Sequence, residues 1–182
     1  MPIHIQPIKG DILQLAPIRA DIAALWVYNG FAVRWQTWNR AREIYGALAP
    51  LDQPWLAITD QVFEVNPPDL MPRYIYIFSN PRNMSSLPTL GAVLGAVARC
   101  LDRAAQLGTQ RIAMIHIPSA PVGRQPTEQQ KVWSAAVMIA AIQRWDETHP
   151  DQLSDVYLVD LEGDFGPLLS PPPAQDDVPV PE

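Results

Sequence analysis

The side chains that most often carry catalysis are few in this sequence and stand apart from one another. His116 alternates with Ile115 and Ile117, as in a strand, so it is a candidate general base. The alternative is a core or strand-edge histidine, because no acid is recognisably placed to orient it. Cys100, the only cysteine, lies in an apolar helical pattern with no positive neighbour to favour its thiolate, which predicts a small core residue. Neither Ser/His/Asp spacing nor zinc-binding spacing is recognisable, and we expect no catalytic residue, metal or cofactor.

Residues suited to binding stand instead at the ends of apolar segments. Asp11 follows a short alternating strand, and Asn29-Gly30 stops a continuous apolar run that starts at Ile22. The strand from Ile112 to Ile117 opens into the small-residue loop Pro118–Gly123. Backbone N–H groups of such a loop, placed between a strand and a helix, can cradle an anion. Because ligands of open α/β sheets bind beyond the strand ends, these segments predict a common binding crevice.

A β-α-β unit positions the last of these loops. Its first strand is the apolar segment 74–78, and its helix is amphipathic, with Ser85, Ser86 or Thr89 as candidate N-caps. Gly108 ends the helix, since glycine takes the left-handed C′ conformation without a Cβ penalty. Parallel pairing of the two strands with a right-handed crossover is the default arrangement.

The remaining segments complete an α/β pattern. Strands are predicted near 3–8, 22–28, 55–65 and 155–161, and helices over 33–48 and from a capping box at Thr127 and Gln130 to about Trp145. We therefore expect a three-layer α/β/α fold with a mixed, mostly parallel sheet of about six strands. The apolar runs 22–27 and 112–117 should be central and buried, because only strands covered on both faces need such runs.

Composition limits the partners and the number of domains. The 182 residues predict one domain, over residues 1–169, followed by a Pro-rich tail, residues 170–182, that cannot fold by itself. A net charge of −6 gives no electrostatic footprint for nucleic acid or for an anionic membrane. No apolar run approaches the ~20 residues of a membrane span, and a cytoplasmic protein is the expectation.

Taken in order, four segments resemble the macro domain, the ADP-ribose-binding module. Gly10-Asp11-Ile12 resembles the family's G-D-I, and the segment 21–30 stands in the place of its D-A-I-V-N-A-A-N strand. Residues 55–78 are similar to the family's two strands before the long helix. Residues 111–123 resemble the family's strand and second phosphate loop. The resemblance implies the same fold and a binding site for ADP-ribose or a related adenine nucleotide.

The resemblance also implies roles for individual residues. Asp11 would accept a hydrogen bond from the adenine amino group, with a carboxylate that caps the turn after the strand as the alternative. Ile12 would pack beside the base or donate its backbone N–H. Phe165 would stack on adenine, with a hydrophobic plug at the sheet end as the alternative. Asn29 would lie near the distal ribose, and Gly30 and Val33 belong to the first phosphate loop. The diphosphate would bind the second phosphate loop, formed by Ser119, Ala120, Pro121, Val122 and Gly123.

The phosphate loops depart from the family pattern in a way that bears on turnover. Bulky residues stand where the first loop usually has glycines, and Pro121 removes one N–H from the second loop. The hydrolase branch that uses a lysine nucleophile has no counterpart, because no lysine lies between Lys9 and Lys131. We therefore expect binding without turnover. The alternatives are a protein-interaction domain that has lost nucleotide binding, acting through Trp35, Trp38 or the tail, and a diverged ADP-ribosyl hydrolase.

Overall fold

The computed structural model describes residues 1–14, 19–26, 39–50, 61–66, 71–78, 90–117, 126–160, 163 and 165–169. They form one seven-stranded sheet in the order β1-β7-β6-β2-β5-β4-β3. The strands are β1 (His4–Lys9), β2 (Ile22–Trp26), β3 (Leu48–Pro50), β4 (Gln61–Val65), β5 (Tyr74–Phe78), β6 (Arg111–Ile115) and β7 (Asp155–Asp160). The described helices are α1, whose described part is 39–45, α2 (Leu90–Gln106), α3 (Glu128–Thr148) and α4 (Gly166–Leu169).

Five neighbouring strands of the sheet, β1, β7, β6, β2 and β5, are parallel. Their carboxyl ends define the carboxyl edge of the sheet, and their starts define the amino edge. Strands β6 and β2 are the third and fourth of seven, so the prediction that the two longest apolar runs are central is confirmed. Strands β4 and β3 add antiparallel pairs, which makes the sheet mixed as expected.

The sheet has one strand more than the expected six or so, because the predicted helix over 33–48 was too long at its end. Helix α1 ends at Tyr45, and Gly46 takes a φ of +79°, with its N–H donating to the carbonyl of Arg42 at 2.8 Å. A glycine in this left-handed conformation terminates a helix. Leu48–Pro50 then pairs with β4 as a short edge strand.

Side chains alternate between the two faces of the sheet and build two cores. Ile22 and Ala24 of β2 pack with the buried faces of α2 and α3. Ala23 and Leu25 of the same strand pack on the other face with Ala41 of α1. The period of two along a strand requires this alternation, and covering both faces gives the three-layer fold.

The ends of α2 and α3 follow the predicted signals. Gly108 has a φ of +65°, and the Thr127 and Gln130 side chains form the reciprocal capping box. Helix α3 continues past the expected Trp145 to Thr148, where the His149 ring stacks on the Trp145 ring with centroids 4.5 Å apart. The helix is therefore nearly one turn longer than predicted. Cys100 is fully buried, as expected for a core residue.

Several predicted segments lie outside the described residues. They are the candidate N-caps before α2, the start of the strand expected from 55, and the tail beyond 169. No helix within the described ranges is long and apolar enough to cross a membrane.

Candidate functional site

Asp11 lies at the carboxyl edge, in the turn that follows β1. Its Oδ1 accepts the backbone N–H of Leu13 at 3.0 Å, and its carbonyl accepts the N–H of Gln14 at 2.9 Å. Its Oδ2 is ion-paired with the guanidinium of Arg40. The side chain is 25% exposed. Asp11 therefore stabilises its own turn and still presents part of an acceptor-only carboxylate to solvent.

Ile12 begins the short 3-10 turn Ile12–Gln14 and is buried in the core beneath α1. The predicted contact of Ile12 with a base stays a prediction, and in this structure the whole residue is only 4% exposed. The burial of Ile12 and Leu13 fixes the turn that carries the Asp11 carboxylate.

Helix α1 is attached to the same turn by Tyr45. The Tyr45 hydroxyl donates to the carbonyl of Leu13 at 2.8 Å, and the ring is buried. Burial, with a smaller contribution from the negative charge of Asp11, raises the pKa of Tyr45 to about 12. The neutral phenol is thus part of the folded site.

We predict that Tyr45 makes stability fall at alkaline pH. Because the folded-state pKa lies above the ordinary value of 10.0, the stabilisation from the neutral phenol is complete below pH 10 and is lost as pH rises from about 10 to about 12. Tyr45→Phe should cost about 1 kcal/mol at pH 7 through the lost hydrogen bond. The difference between wild type and Tyr45→Phe should shrink at pH 11, measured by urea unfolding at both pH values. An equal difference at both would contradict the prediction.

Phe165 and His116 meet at the carboxyl edge. Phe165 follows β7 and is 0% exposed, and its ring makes an edge contact with the His116 ring, with centroids 5.0 Å apart. In this structure Phe165 is a hydrophobic plug. Stacking on adenine stays a prediction, which requires the ring to become exposed.

His116 and Ser134 are hydrogen-bonded to each other at this edge. His116 Nε2 lies 2.8 Å from Ser134 Oγ, and the Ser134 hydroxyl also lies 2.9 Å from the carbonyl of Lys131. A hydroxyl has one proton, so in the arrangement in which it is donated to the Lys131 carbonyl, Nε2 of His116 is the donor of the pair. In that arrangement His116 does not activate Ser134 as a nucleophile, because activation needs the hydroxyl proton to be donated to Nε2.

Asp160, the last residue of β7, accepts hydrogen bonds from the residue after β1 and from the turn that follows β7. Its carbonyl accepts the N–H of Gly10 at 2.8 Å, and its buried carboxylate accepts the N–H of Gly163. Gly163 has a φ of +92°, and a Cβ placed on it would lie 3.5 Å from Cδ of Lys9, an ordinary van der Waals distance. Glycine is favoured at this position because of the positive φ.

The other predicted binding residues, Asn29, Gly30, Val33 and the loop Ser119–Gly123, lie outside the described residues. Two residues of the site were missed by sequence reasoning: Arg40, the partner of Asp11, and Ser134, the partner of His116. Arg40 gave a usable signal, since it lies on the polar side of a predicted helix beside two other arginines. Its target could not be read from the sequence, because 29 positions separate it from Asp11.

The amino edge holds a second polar cluster around Asp21. The Asp21 carboxylate accepts the backbone N–H groups of Gln110 at 3.2 Å and Arg111 at 3.0 Å, and it binds the Arg111 guanidinium at 3.0 and 3.3 Å. The hydrogen bond to Asp21 raises the pKa of Arg111. A depression of about 390 Å³ borders this cluster and also touches Arg73 and Ser154. Asp21 precedes β2, and its carboxylate contacts Arg111 of β6 and Gln110, the residue before β6. Asp21 therefore joins the start of β2 to the start of β6.

Within the described ranges, no group of three or more His, Cys, Asp or Glu side chains is placed to hold a metal ion.

No protein-family model and no curated protein sequence matches the chain, whereas solved structures do. The macrodomain of Trypanosoma brucei in complex with ADP-ribose matches 90% of this chain with a TM-score of 0.57 and 11% identity, and this chain covers 66% of its length. The same macrodomain was also solved with ADP. The macro domain of ganglioside induced differentiation associated protein 2 matches 91% of this chain and 82% of its own, with a TM-score of 0.57 and 15% identity. The Mycobacterium tuberculosis DarG macrodomain matches 86% and 97%, with a TM-score of 0.55 and 14% identity.

Proposed function

We propose that this chain, which has the macro-domain fold, binds ADP-ribose or a related adenine nucleotide at the carboxyl edge of its sheet and does not turn it over. One observation carries the proposal: the partly exposed carboxylate of Asp11, held at that edge by its own turn. A carboxylate only accepts hydrogen bonds, so it suits an exocyclic amino group. The Trypanosoma brucei macrodomain, solved with ADP-ribose and with ADP, supports the class of ligand.

The absence of turnover is supported by the hydrogen bonding of the edge. Ser134, which lies 2.8 Å from His116 Nε2, is fully buried, and its hydroxyl is placed to donate to the carbonyl of Lys131 at 2.9 Å. The Ser134 hydroxyl is therefore not presented to a ligand as a nucleophile.

Asp11→Asn should weaken adenine nucleotides by about 1.5–3 kcal/mol, or roughly 10- to 150-fold. Asparagine keeps an oxygen for the Leu13 N–H, so the turn survives while the charged acceptor is lost. Calorimetric titration with ADP-ribose, ADP and AMP measures the effect. Asp151→Asn, at an exposed turn, is the matched control and should leave the affinity for all three nucleotides unchanged.

Two outcomes would overturn this function. Tight ADP-ribose binding that is indifferent to Asp11→Asn would remove the site assignment. Release of ADP-ribose from a modified protein by the wild type, measured with a labelled substrate, would make the chain an enzyme.

Protein interaction is the second candidate, and exposed apolar side chains favour it. Val132 and Trp133, adjacent in the first turns of α3, are 43% and 50% exposed. Large exposed aromatic residues are typical of binding surfaces. If no adenine nucleotide binds and Trp133→Ala leaves stability unchanged while abolishing a protein contact, this candidate replaces the first.

A further inference from the structure

We propose that Arg40 is a specificity-determining residue, and that with Asp11 it lets the site take 6-oxopurine nucleotides, those of guanine and hypoxanthine, as well as adenine nucleotides. This inference rests on the proposed function, because it concerns the base bound at the same place. It starts from the ion pair between Arg40 and Asp11 Oδ2.

The pair presents a donor and an acceptor side by side to solvent. The guanidinium has five N–H donors and no acceptor, and the carboxylate has only acceptors. Arg40 is 55% exposed and Asp11 is 25% exposed, so both groups keep capacity for a ligand after pairing.

An isolated carboxylate and the Arg40–Asp11 pair differ in the purine bases whose edges they can bind. Adenine offers an amino donor at C6 beside an N1 acceptor; a carboxylate alone can bind the amino group, and an arginine beside it can donate to N1. Guanine and hypoxanthine offer an oxygen at C6 beside an N1–H donor, and a lone carboxylate would face that oxygen with a second acceptor. Arginine donates well to the O6 and N7 acceptors of guanine. With Arg40 facing O6 and Asp11 facing N1–H, the pair complements the 6-oxopurine edge.

Both members of the pair are held by hydrogen bonds and burial that join the Asp11 turn to α1. Asp11 Oδ1 is fixed by the N–H of Leu13, and the Leu13 carbonyl accepts the Tyr45 hydroxyl of the helix that carries Arg40. Ala41, the neighbour of Arg40, is fully buried. Groups held in place before binding lose less entropy when the ligand arrives.

The test compares ADP, GDP and IDP by calorimetric titration of wild type and Arg40→Gln. The three ligands carry the same diphosphate, so loss of the positive charge affects them alike and cancels in the ratio of affinities. We expect wild type to bind all three, and Arg40→Gln to weaken GDP and IDP by about tenfold while weakening ADP by about threefold or less. Arg144→Gln, exposed on α3, removes the same charge elsewhere and should leave all three unchanged. Circular dichroism checks that each variant is folded.

The failures are distinguishable. ADP binding that is sensitive to Asp11→Asn, with no binding of GDP or IDP or with equal weakening of all three by Arg40→Gln, overturns this inference and leaves the proposed function standing. If none of the three nucleotides binds the wild type, this inference falls, and the proposed function falls with it when ADP-ribose and AMP also fail to bind.

Discussion

Replacing Phe165 by alanine should lower the free energy of unfolding by about 3–5 kcal/mol. The ring is fully buried in the core shared with α2 and α3, and it packs edge-on against His116 at 5.0 Å. Truncation removes that packing and leaves a cavity at the end of β7, where the chain must turn into α4. Urea unfolding followed by circular dichroism measures the loss, and the melting temperature should fall by roughly 6–20 °C.

Leu168→Ala is the matched control, because Leu168 lies three positions further along the chain, in α4, and is 38% exposed. It should cost less than about 1 kcal/mol. A similarly small cost for Phe165→Ala would mean that the ring spends its time outside the core in solution. That result would favour the adenine-stacking role that the macro-domain resemblance implies for Phe165.

The second large effect is expected at the opposite edge of the sheet. Asp21→Ala should lower the free energy of unfolding by about 2–3 kcal/mol, since it removes a charged acceptor and leaves the Gln110 and Arg111 N–H groups without it. Water screens part of the ion pair, because the Asp21 and Arg111 side chains are 19% and 30% exposed, and this limits the loss. The same urea series measures it.

Asp21→Asn separates the two parts of this contribution. Asparagine retains an oxygen for the backbone N–H groups but loses the ion pair with Arg111, so it should cost about 1 kcal/mol. Nucleotide affinity should stay unchanged in both variants, because the proposed site is at the carboxyl edge. Equal stability of wild type and Asp21→Ala would show that this cluster does not fasten β2 to β6.

The layers of the fold could be predicted from the sequence because they depend on local periods. Alternation and unbroken apolar runs identify strands such as β2 and β6, and the three- and four-residue step of α2 identifies a covered helix. The capping box at Thr127 acts over three residues, so it too could be predicted from the sequence. The predicted end of α1 was a few residues too late in the chain, although Gly46 is a residue type that commonly ends a helix.

The sequence by itself thus determined a three-layer domain with an acidic residue, Asp11, after its first strand. Only the tertiary structure decided what that residue touches. Strand order brings β1 beside β7, and the packing of α1 brings Arg40 to Asp11, while Phe165 is carried inward against His116. The physical reason is that a local pattern fixes which face of an element is buried, whereas partners 29 or more positions apart are selected by the packing of whole elements.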